Sequence, residues 1–526
     1  MLERLMGLET EYVIRYSSKD GSDFWRGAPR PNRQCFYEAI ETAVKGLLRW
    51  APATEGIFLE NGQALSFEHG GLDPDGGLLE AKTPECRSVA GLLTFQKAQE
   101  AMLLAALERA EARLRCGGKL GLVKNCRDAL GNTYGVQENY EVELASGLEL
   151  AIYRILLALV ILATLLPYSL MVCSLGLGAL LTRILPAYHD ALWRGLEGAC
   201  WRLFAAPGRL FAMVLDRFAF RNYRAQGAAF FVSRQILTGS GTVRDDGCFE
   251  LSERAQAISA EMTSMRQITE YTLFKTTNLQ QQLLWLLGWR PLAGLFRRRQ
   301  RLQLGCSDAN MAQTAEYLKL GTTGLVLDMI EAGLLADAPR LEDPVWAYKA
   351  VSADPSLACQ IPTDQGRMTA LALQRYYLAT ARRFVADSPT PNLEAAQLLR
   401  LWGETLDLLE REPARLFGRI DWVTKRILLE QSGSDSLEVK KKLDVKYHEL
   451  GTGYLAALER AGYVPSLVPA EAVRQAMTSP PEDSPAWWRG QLIRQLDSQP
   501  ALFAWDSARV GGFWNGKVVS FRRPRH

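Results

Sequence analysis

Histidine is scarce in this chain and cysteine is scattered. Among 526 residues there are four histidines (His69, His189, His448, His526) and nine cysteines (Cys35, Cys86, Cys116, Cys126, Cys173, Cys200, Cys248, Cys306, Cys359), with no CxxC pair. A zinc site needs such residues clustered at short spacing, and none is visible. An odd cysteine count without a disulfide-like framework points to a reducing compartment. There is no GxxxxGK[ST] phosphate loop, no GxSxG elbow and no HExxH pair, so three common ways of building an active site are missing. Neither sign of charge dominates: 61 Lys and Arg stand against 58 Asp and Glu, for a net charge of +3. Nucleic acid is therefore not an expected partner. The opening segment MLERLMGLETEY turns acidic at once, unlike a secretory signal peptide.

What is present is a globular composition, 48% hydrophobic and 23% charged. The length predicts a large domain with at least one smaller unit. Gly7 to Arg15 reads as a strand and Phe36 to Trp50 as an amphipathic helix. Gly56 to Phe67 reads as a hairpin turning at Asn61-Gly62, and Val89 to Leu114 as a long helix. Strand-like pieces follow at Lys119 to Lys124, Val136 to Val142 and Ala228 to Ile236. Beyond about Asp308 the pattern is mostly helical: Met311 to Ala332, Thr369 to Val385, Leu393 to Glu410 and Leu437 to Ala461. The whole reads as α+β, with a sheet built early and helices packed later.

The longest charge-free stretch, Ile155 to Thr182, is bounded by Arg154 and Arg183. Roughly 20 apolar residues suffice to cross a bilayer as helix. Strands that belong to one sheet lie on both sides of it, so the chain must return to the side it left. With Pro167 near the middle, a membrane hairpin within a hydrophobic insert (147–222) is the expectation, and a buried hairpin or docking surface the alternative. Leu283 to Arg301, with Trp285, Trp289, Phe296 and a run of arginines, reads equally as a helix at an anionic membrane surface and as an ordinary surface helix with a solvated charge run. On the membrane readings the protein is expected at the cytoplasmic face of the inner membrane, and otherwise in the cytoplasm.

The chemistry-bearing residues start with Glu9 and Glu11 in GLETEY. Two apart on a strand, they project from one face, and paired carboxylates suit a hard divalent cation shared with nucleotide phosphates. Glu80 and Glu85 follow in LLEAKTPECRS, then Asn125, Asp128, Asn132 and Glu138 in KNCRDALGNTYGVQENYEVE. One sheet could gather them into a metal–nucleotide cleft.

Taken in order, GLETEY, NG before TPEC, and KN-x-x-D-x-x-GN-x-YG-x-x-ENY resemble the Pup ligase and depupylase family. FFVSRQILTGSG, CSDANM, LKLGTTGLVLDMIEAG, TALALQRYY, IDWVTK and LDVKYHEL extend the match over nearly the whole chain outside the apolar inserts. The resemblance implies a glutamine-synthetase-like carboxylate–amine ligase fold, with a curved antiparallel sheet cradling Mg-ATP. The catalytic domain would be 1–146 and 223–435, and a small C-terminal domain 436–526. It implies Mg2+ on Glu9, Glu11 and Glu80, helped by Glu138, with Arg234, Arg489, Asn125 and Glu138 at the nucleotide or at the modifier's carboxylate. The implied reaction joins the C-terminal glutamate of a small Pup-like or ubiquitin-like modifier to target lysines through an acyl phosphate. The family's aspartate after the NG turn is matched here by Glu68, and the following loop is lengthened by GGLDPDGG. Glu68 is thus the first candidate base, with Asp73 or Asp75 as substitutes. The short Ser17 to Gly56 connection and Cys86 favour the ligase over the depupylase. An isopeptidase or deamidase on the same fold, or a nucleotide-binding scaffold without turnover, are the rival readings.

Overall fold

The computed structural model describes residues 2–18, 32–69, 77–114, 118–127, 133–184, 218–262, 271–275, 294–496, 500–512 and 516–521, with isolated positions between 185 and 217. Its centre is a ten-stranded sheet. The strands are β1 (Met6–Ser18), β2 (Trp50–Pro52), β3 (Ile57–Leu59), β4 (Ala64–His69), β5 (Gly77–Lys82), β6 (Gly118–Val123) and β7 (Val136–Glu143). After a small separate hairpin, β8 (Thr242–Val243) with β9 (Phe249–Glu250), come β10 (Ile258–Met262), β11 (Tyr271–Lys275) and β12 (Arg299–Leu304). The order across the sheet is β10-β11-β12-β7-β1-β5-β4-β3-β2, with β6 continuing beside the second half of β1. Every pairing is antiparallel except β10 with β11.

The sheet's two faces follow from the period-2 alternation of its strands. Leu8, Tyr140, Val142, Leu302 and Leu304 point back onto the helix Gln313–Glu331, and Tyr12, Ile14, Leu79 and Ala81 onto the helices Arg33–Lys45 and Val89–Leu114. The other face carries Glu9, Glu11, Gln137, Glu80, Lys82 and Ser66. The expected hairpin turns at Asn61-Gly62, where Gly62 adopts φ +86° and Leu59 N–H donates to the Gln63 carbonyl at 2.8 Å.

Several expectations are corrected. Ala228 to Ile236 is not a strand: it continues the helix Arg221–Ser233 into the turn Gln235–Thr238. Its unbroken run of buried residues, Gly227 to Thr238, is equally the pattern of a helix enclosed on all sides. Leu437 to Ala461 is two helices, Leu437–Tyr447 and Tyr454–Arg460, separated at Gly451 with φ +71°. Arg299 and Arg301 lie in β12 rather than on a surface helix, while 276–293 lies outside the described residues.

The apolar insert begins as one helix, Gly147–Ile184, that runs through Pro167 without a hairpin there. Among the described residues no helix is long and apolar enough to cross a membrane. The first turns of this helix are anchored, with Leu150, Tyr153, Leu157 and Val160 in the main core and the Tyr153 hydroxyl donating to the Leu295 carbonyl at 3.0 Å.

No change of packing marks residue 436. Tyr447, Leu450 and Leu455 share a core with Tyr12 and Ile14, and Val468 and Ala476 join the main core. A distinct small core forms later, where Ile493, Phe503, Ala508 and Phe521 cover Ala51, Phe58 and Ala64.

Candidate active site

Strand register decides which acids meet. β1 pairs with β5 so that Glu9 faces Lys82 and Glu11 faces Glu80. β5 pairs with β4 so that Glu80 faces Ser66, which puts Glu68, two residues on, on the same face. Glu9, Glu11, Glu80 and Glu68 are therefore brought together on one side of three adjacent strands.

Their surroundings differ. Glu80 is held by the Lys82 ammonium at 2.7 Å and accepts from the Ser66 hydroxyl at 2.7 Å. Glu9 accepts from Arg301 at 3.3 Å and from the Gln303 amide at 3.0 Å. Buried Glu11 accepts from Gly135 N–H at 2.7 Å and Gln137 Nε2 at 3.2 Å. Burial nevertheless keeps its carboxyl above the ordinary range, with Glu80 adding to the effect against the Arg254 guanidinium. The Glu68 side chain keeps part of its surface open to solvent, yet its carboxyl is pushed up to about 8, first by desolvation at the sheet and then by the Glu11 and Glu80 charges. Like charges crowded on one face cannot all ionise cheaply. A face of hard carboxylate oxygens that cannot all ionise without a counter-charge is chemically suited to a divalent cation. Among the described residues, though, the one trio of metal-type ligands gathered within 4.8 Å is elsewhere, at Glu253, Asp444 and His448. A cation on the Glu9, Glu11 and Glu80 face would compete with Lys82 and Arg301 for the oxygens they hold.

The other sequence candidates are placed differently. Glu138 is paired with Leu8 across β1 and β7, so it points to the opposite face. There it forms a bidentate pair with Arg234, at 2.7 and 2.9 Å, and accepts from Tyr140 at 2.5 Å. Burial alone would raise its carboxyl, but the Arg234 guanidinium outweighs that and holds it below the usual range. Arg234 and Glu138 thus satisfy each other in the core, and neither reaches the acidic face.

Arg489 is also buried. It forks onto Glu85 at 2.6 and 3.1 Å, donates to the carbonyls of Gly62 and Trp505, and packs against the rings of both Phe58 and Trp505. Its fork ties the C-terminal segment to the β3–β4 turn instead of facing a phosphate. Asn125 is a loop fastener, donating to Arg127 O and accepting from the Tyr134 hydroxyl at 2.8 Å. Asp73, Asp75, Asp128 and Asn132 lie outside the described residues.

Sequence reasoning missed four groups at this face. Lys82 and Ser66 were legible, since they alternate in step with Glu80 and Glu68. Lys275 on β11, whose ammonium is destabilised by burial and then by Arg254, required knowing that β11 joins this sheet. Arg254 lies on an irregular segment, donating to the carbonyls of Tyr134 at 2.9 Å and Gly305 at 2.6 Å while its charge acts on Glu11. No local pattern announces it.

Comparison with known proteins agrees with this architecture. The Pup ligase PafA bound to the prokaryotic ubiquitin-like protein Pup superposes with a TM-score of 0.70, covering 99% of this chain and 89% of that one at 21% identity. PafA in complex with ADP gives a TM-score of 0.63 over 95% and 92% at 22% identity. In sequence, the Pup–protein ligase of Acidimicrobium ferrooxidans is 28% identical over 94% of this chain and 89% of its own length. The Pup deamidase/depupylase of Mycolicibacterium smegmatis is 36% identical, but over 53% of this chain and 56% of its own length. The alignment thus spans little more than half the length of the depupylase relatives. Residues 4–509 match the family model described as Pup-ligase protein, and the chain belongs to that family.

Proposed function

We propose that this protein is an ATP-dependent carboxylate–amine ligase. It joins the C-terminal glutamate of a small Pup-like or ubiquitin-like modifier to lysines of target proteins. The observation that carries the reading is the single sheet face shared by Glu9, Glu11, Glu80 and Glu68, with the Glu68 carboxyl poised near neutral pH. The ligase relatives align along almost the full chain, which supports ligation over hydrolysis.

A Mg2+ ion, held by Glu9, Glu11 and Glu80 when bound, would neutralise phosphate charge. The modifier's carboxylate oxygen attacks the γ-phosphorus of ATP, and ADP leaves. The amine of a target lysine then attacks the acyl carbon, phosphate departs, and the amine gives up a proton. A lysine amine is protonated at neutral pH, so a base is needed. Glu68 takes that proton, with Glu11 and Glu80 raising its basicity.

The test is ATP turnover with a peptide ending in glutamate. Peptide-dependent ADP formation by the wild type, abolished in Glu9→Ala, and conjugation of an added amine acceptor, abolished in Glu68→Ala, are expected. Nucleotide binding without turnover for any such peptide would favour the scaffold. Hydrolysis of a preformed conjugate would favour the isopeptidase.

A second element of the reading concerns location, at the cytoplasmic face of the inner membrane. On the helix Gly147–Ile184, Ile155, Leu159 and Leu162 are 60%, 56% and 62% exposed, on the side away from Tyr153, Leu157 and Val160. The half-exposed arginines Arg297, Arg298, Arg299 and Arg301 follow directly on the Leu295 and Phe296 carbonyls that hold this helix. An apolar stripe beside exposed arginines suits the surface of an anionic bilayer. Cosedimentation with phosphatidylglycerol vesicles, and its loss in the triple variant Ile155→Ser/Leu159→Ser/Leu162→Ser, is the expected result. A wild type that ignores vesicles, or that dimerises through this stripe, would overturn it.

A further inference from the structure

Outside the acidic face, the least expected cluster is a buried ammonium in a cage of metal-type ligands. Lys425, fully buried in the helix Asp421–Gln431, places Nζ 2.5 Å from Asp444 Oδ1, 3.2 Å from Glu253 Oε1, 2.8 Å from His448 Nε2 and 2.5 Å from the Gly241 carbonyl. Glu253, Asp444 and His448 together offer ligand atoms within 4.8 Å of one another. Glu253 is also 2.9 Å from His448 Nε2. Two carboxylates and an imidazole around one point form a donor set for a divalent cation. Here an ammonium occupies that point.

The cage is wired to the acidic face. The second Glu253 oxygen accepts from Cys126 N–H, and the His448 carbonyl accepts from Lys124 N–H at 3.0 Å. Residues 124–126 are therefore gripped from two sides, by Glu253 and by His448 at the end of the helix Leu437–Tyr447. Cys126 O in turn accepts from Tyr134 N–H at 3.0 Å. The next residue, Gly135, is bonded to Glu11 twice: its N–H donates to the Glu11 carboxylate at 2.7 Å, and its carbonyl accepts from Glu11 N–H at 3.0 Å. Glu253 also precedes Arg254, whose charge acts on Glu11. Without Lys425, Glu253 and Asp444 would be buried anions without their ammonium partner.

We infer that Lys425 is an internal cation standing where a metal ion would fit, and that its clamp on Glu253 is a positioning device for Glu11 on the divalent-cation face. The inference deepens the proposed function and rests on it for the role of Glu11, but not for the cage itself.

The experiment uses full-length Lys425→Ala with two readouts. The first is Co2+ titration, followed by the intense visible band of a low-coordinate nitrogen–oxygen site. The variant should show this band, the wild type should not, and adding His448→Gln should remove it. A folded Lys425→Ala protein with no such band overturns the cage. Should the variant fold only when Co2+ or Zn2+ is supplied, that supports the cage, and failure to fold with either metal overturns it.

The second readout is the Mg2+ concentration needed for tight ADP binding. It should rise by about tenfold or more in Lys425→Ala, the usual scale for losing a residue that orients a ligand, and Co2+ bound in the cage should restore it. An unchanged Mg2+ requirement overturns the positioning role. Glu11→Gln is the control: if it leaves the Mg2+ requirement of the otherwise native protein unchanged, the assignment of Glu11 fails, while the Co2+ band still decides the cage.

Discussion

Glu68 and Glu11 lie on strands separated by β5, yet the charge of Glu11 acts on the Glu68 carboxyl across the sheet. Strands two apart are roughly 9–10 Å distant, and the extra methylene of glutamate over aspartate helps span that gap. Desolvation first, and then the charges of Glu11 and Glu80, raise the Glu68 carboxyl to about 8, so that it holds a proton at neutral pH.

That proton makes stability depend on pH. The folded-state pKa of Glu68 lies above its ordinary 4.5, so its contribution is complete below about 4.5 and is lost as the pH climbs through about 8. Thermal midpoints in divalent-free buffer should therefore fall as the pH is raised through that value. Glu68→Gln, which keeps a donor for Glu11 without titrating, should flatten the profile. An unchanged slope would remove the Glu68 proton from the account.

Glu68→Asp shortens the arm and separates the carboxyl from Glu11. Base strength should drop, so ligation should slow while ATP binding is retained. The pH–rate profile should move to lower pH. Full activity with an unshifted profile would assign the base to another residue.

Arg234→Ala should cost about 3–5 kcal/mol in urea denaturation, because it strands the buried Glu138 carboxylate. Replacing both partners, Arg234→Met with Glu138→Leu, should recover much of that loss. A single variant of native stability that has lost nucleotide binding would instead return Arg234 to the phosphate role its sequence context suggested.

Gly62→Ala tests the turn below Arg489. Gly62 sits at φ +86°, and an added Cβ would lie 2.8 Å from Ala486 Cβ and 3.0 Å from Pro84 Cβ. A loss of about 2 kcal/mol or more is expected from left-handed strain together with the clash. Calorimetry should show the penalty, and a native midpoint would mean the C-terminal segment docks less tightly than described.

The acidic pair of β1 was readable because strand alternation is local: residues two apart share a face whatever the strand pairs with. The same reasoning located the turn at Gly62, whose dipeptide fixes its own backbone, and the helix Val89–Leu114. Ala228 to Ile236 was misread because enclosure on all sides erases the period that separates strand from helix.

By itself the sequence determined the strand carrying Glu9 and Glu11, the turn before Glu68, and through its ordered motifs the family. Only the tertiary structure decided which acids share a face. Glu138 is a core partner of Arg234 because β7 pairs in the register Leu8 with Glu138, and a slip of one residue would have turned it toward Glu9. Register is set by contacts between strands distant in the chain, as are the cage around Lys425 and the docking of Arg489. Such contacts leave no trace in local spacing.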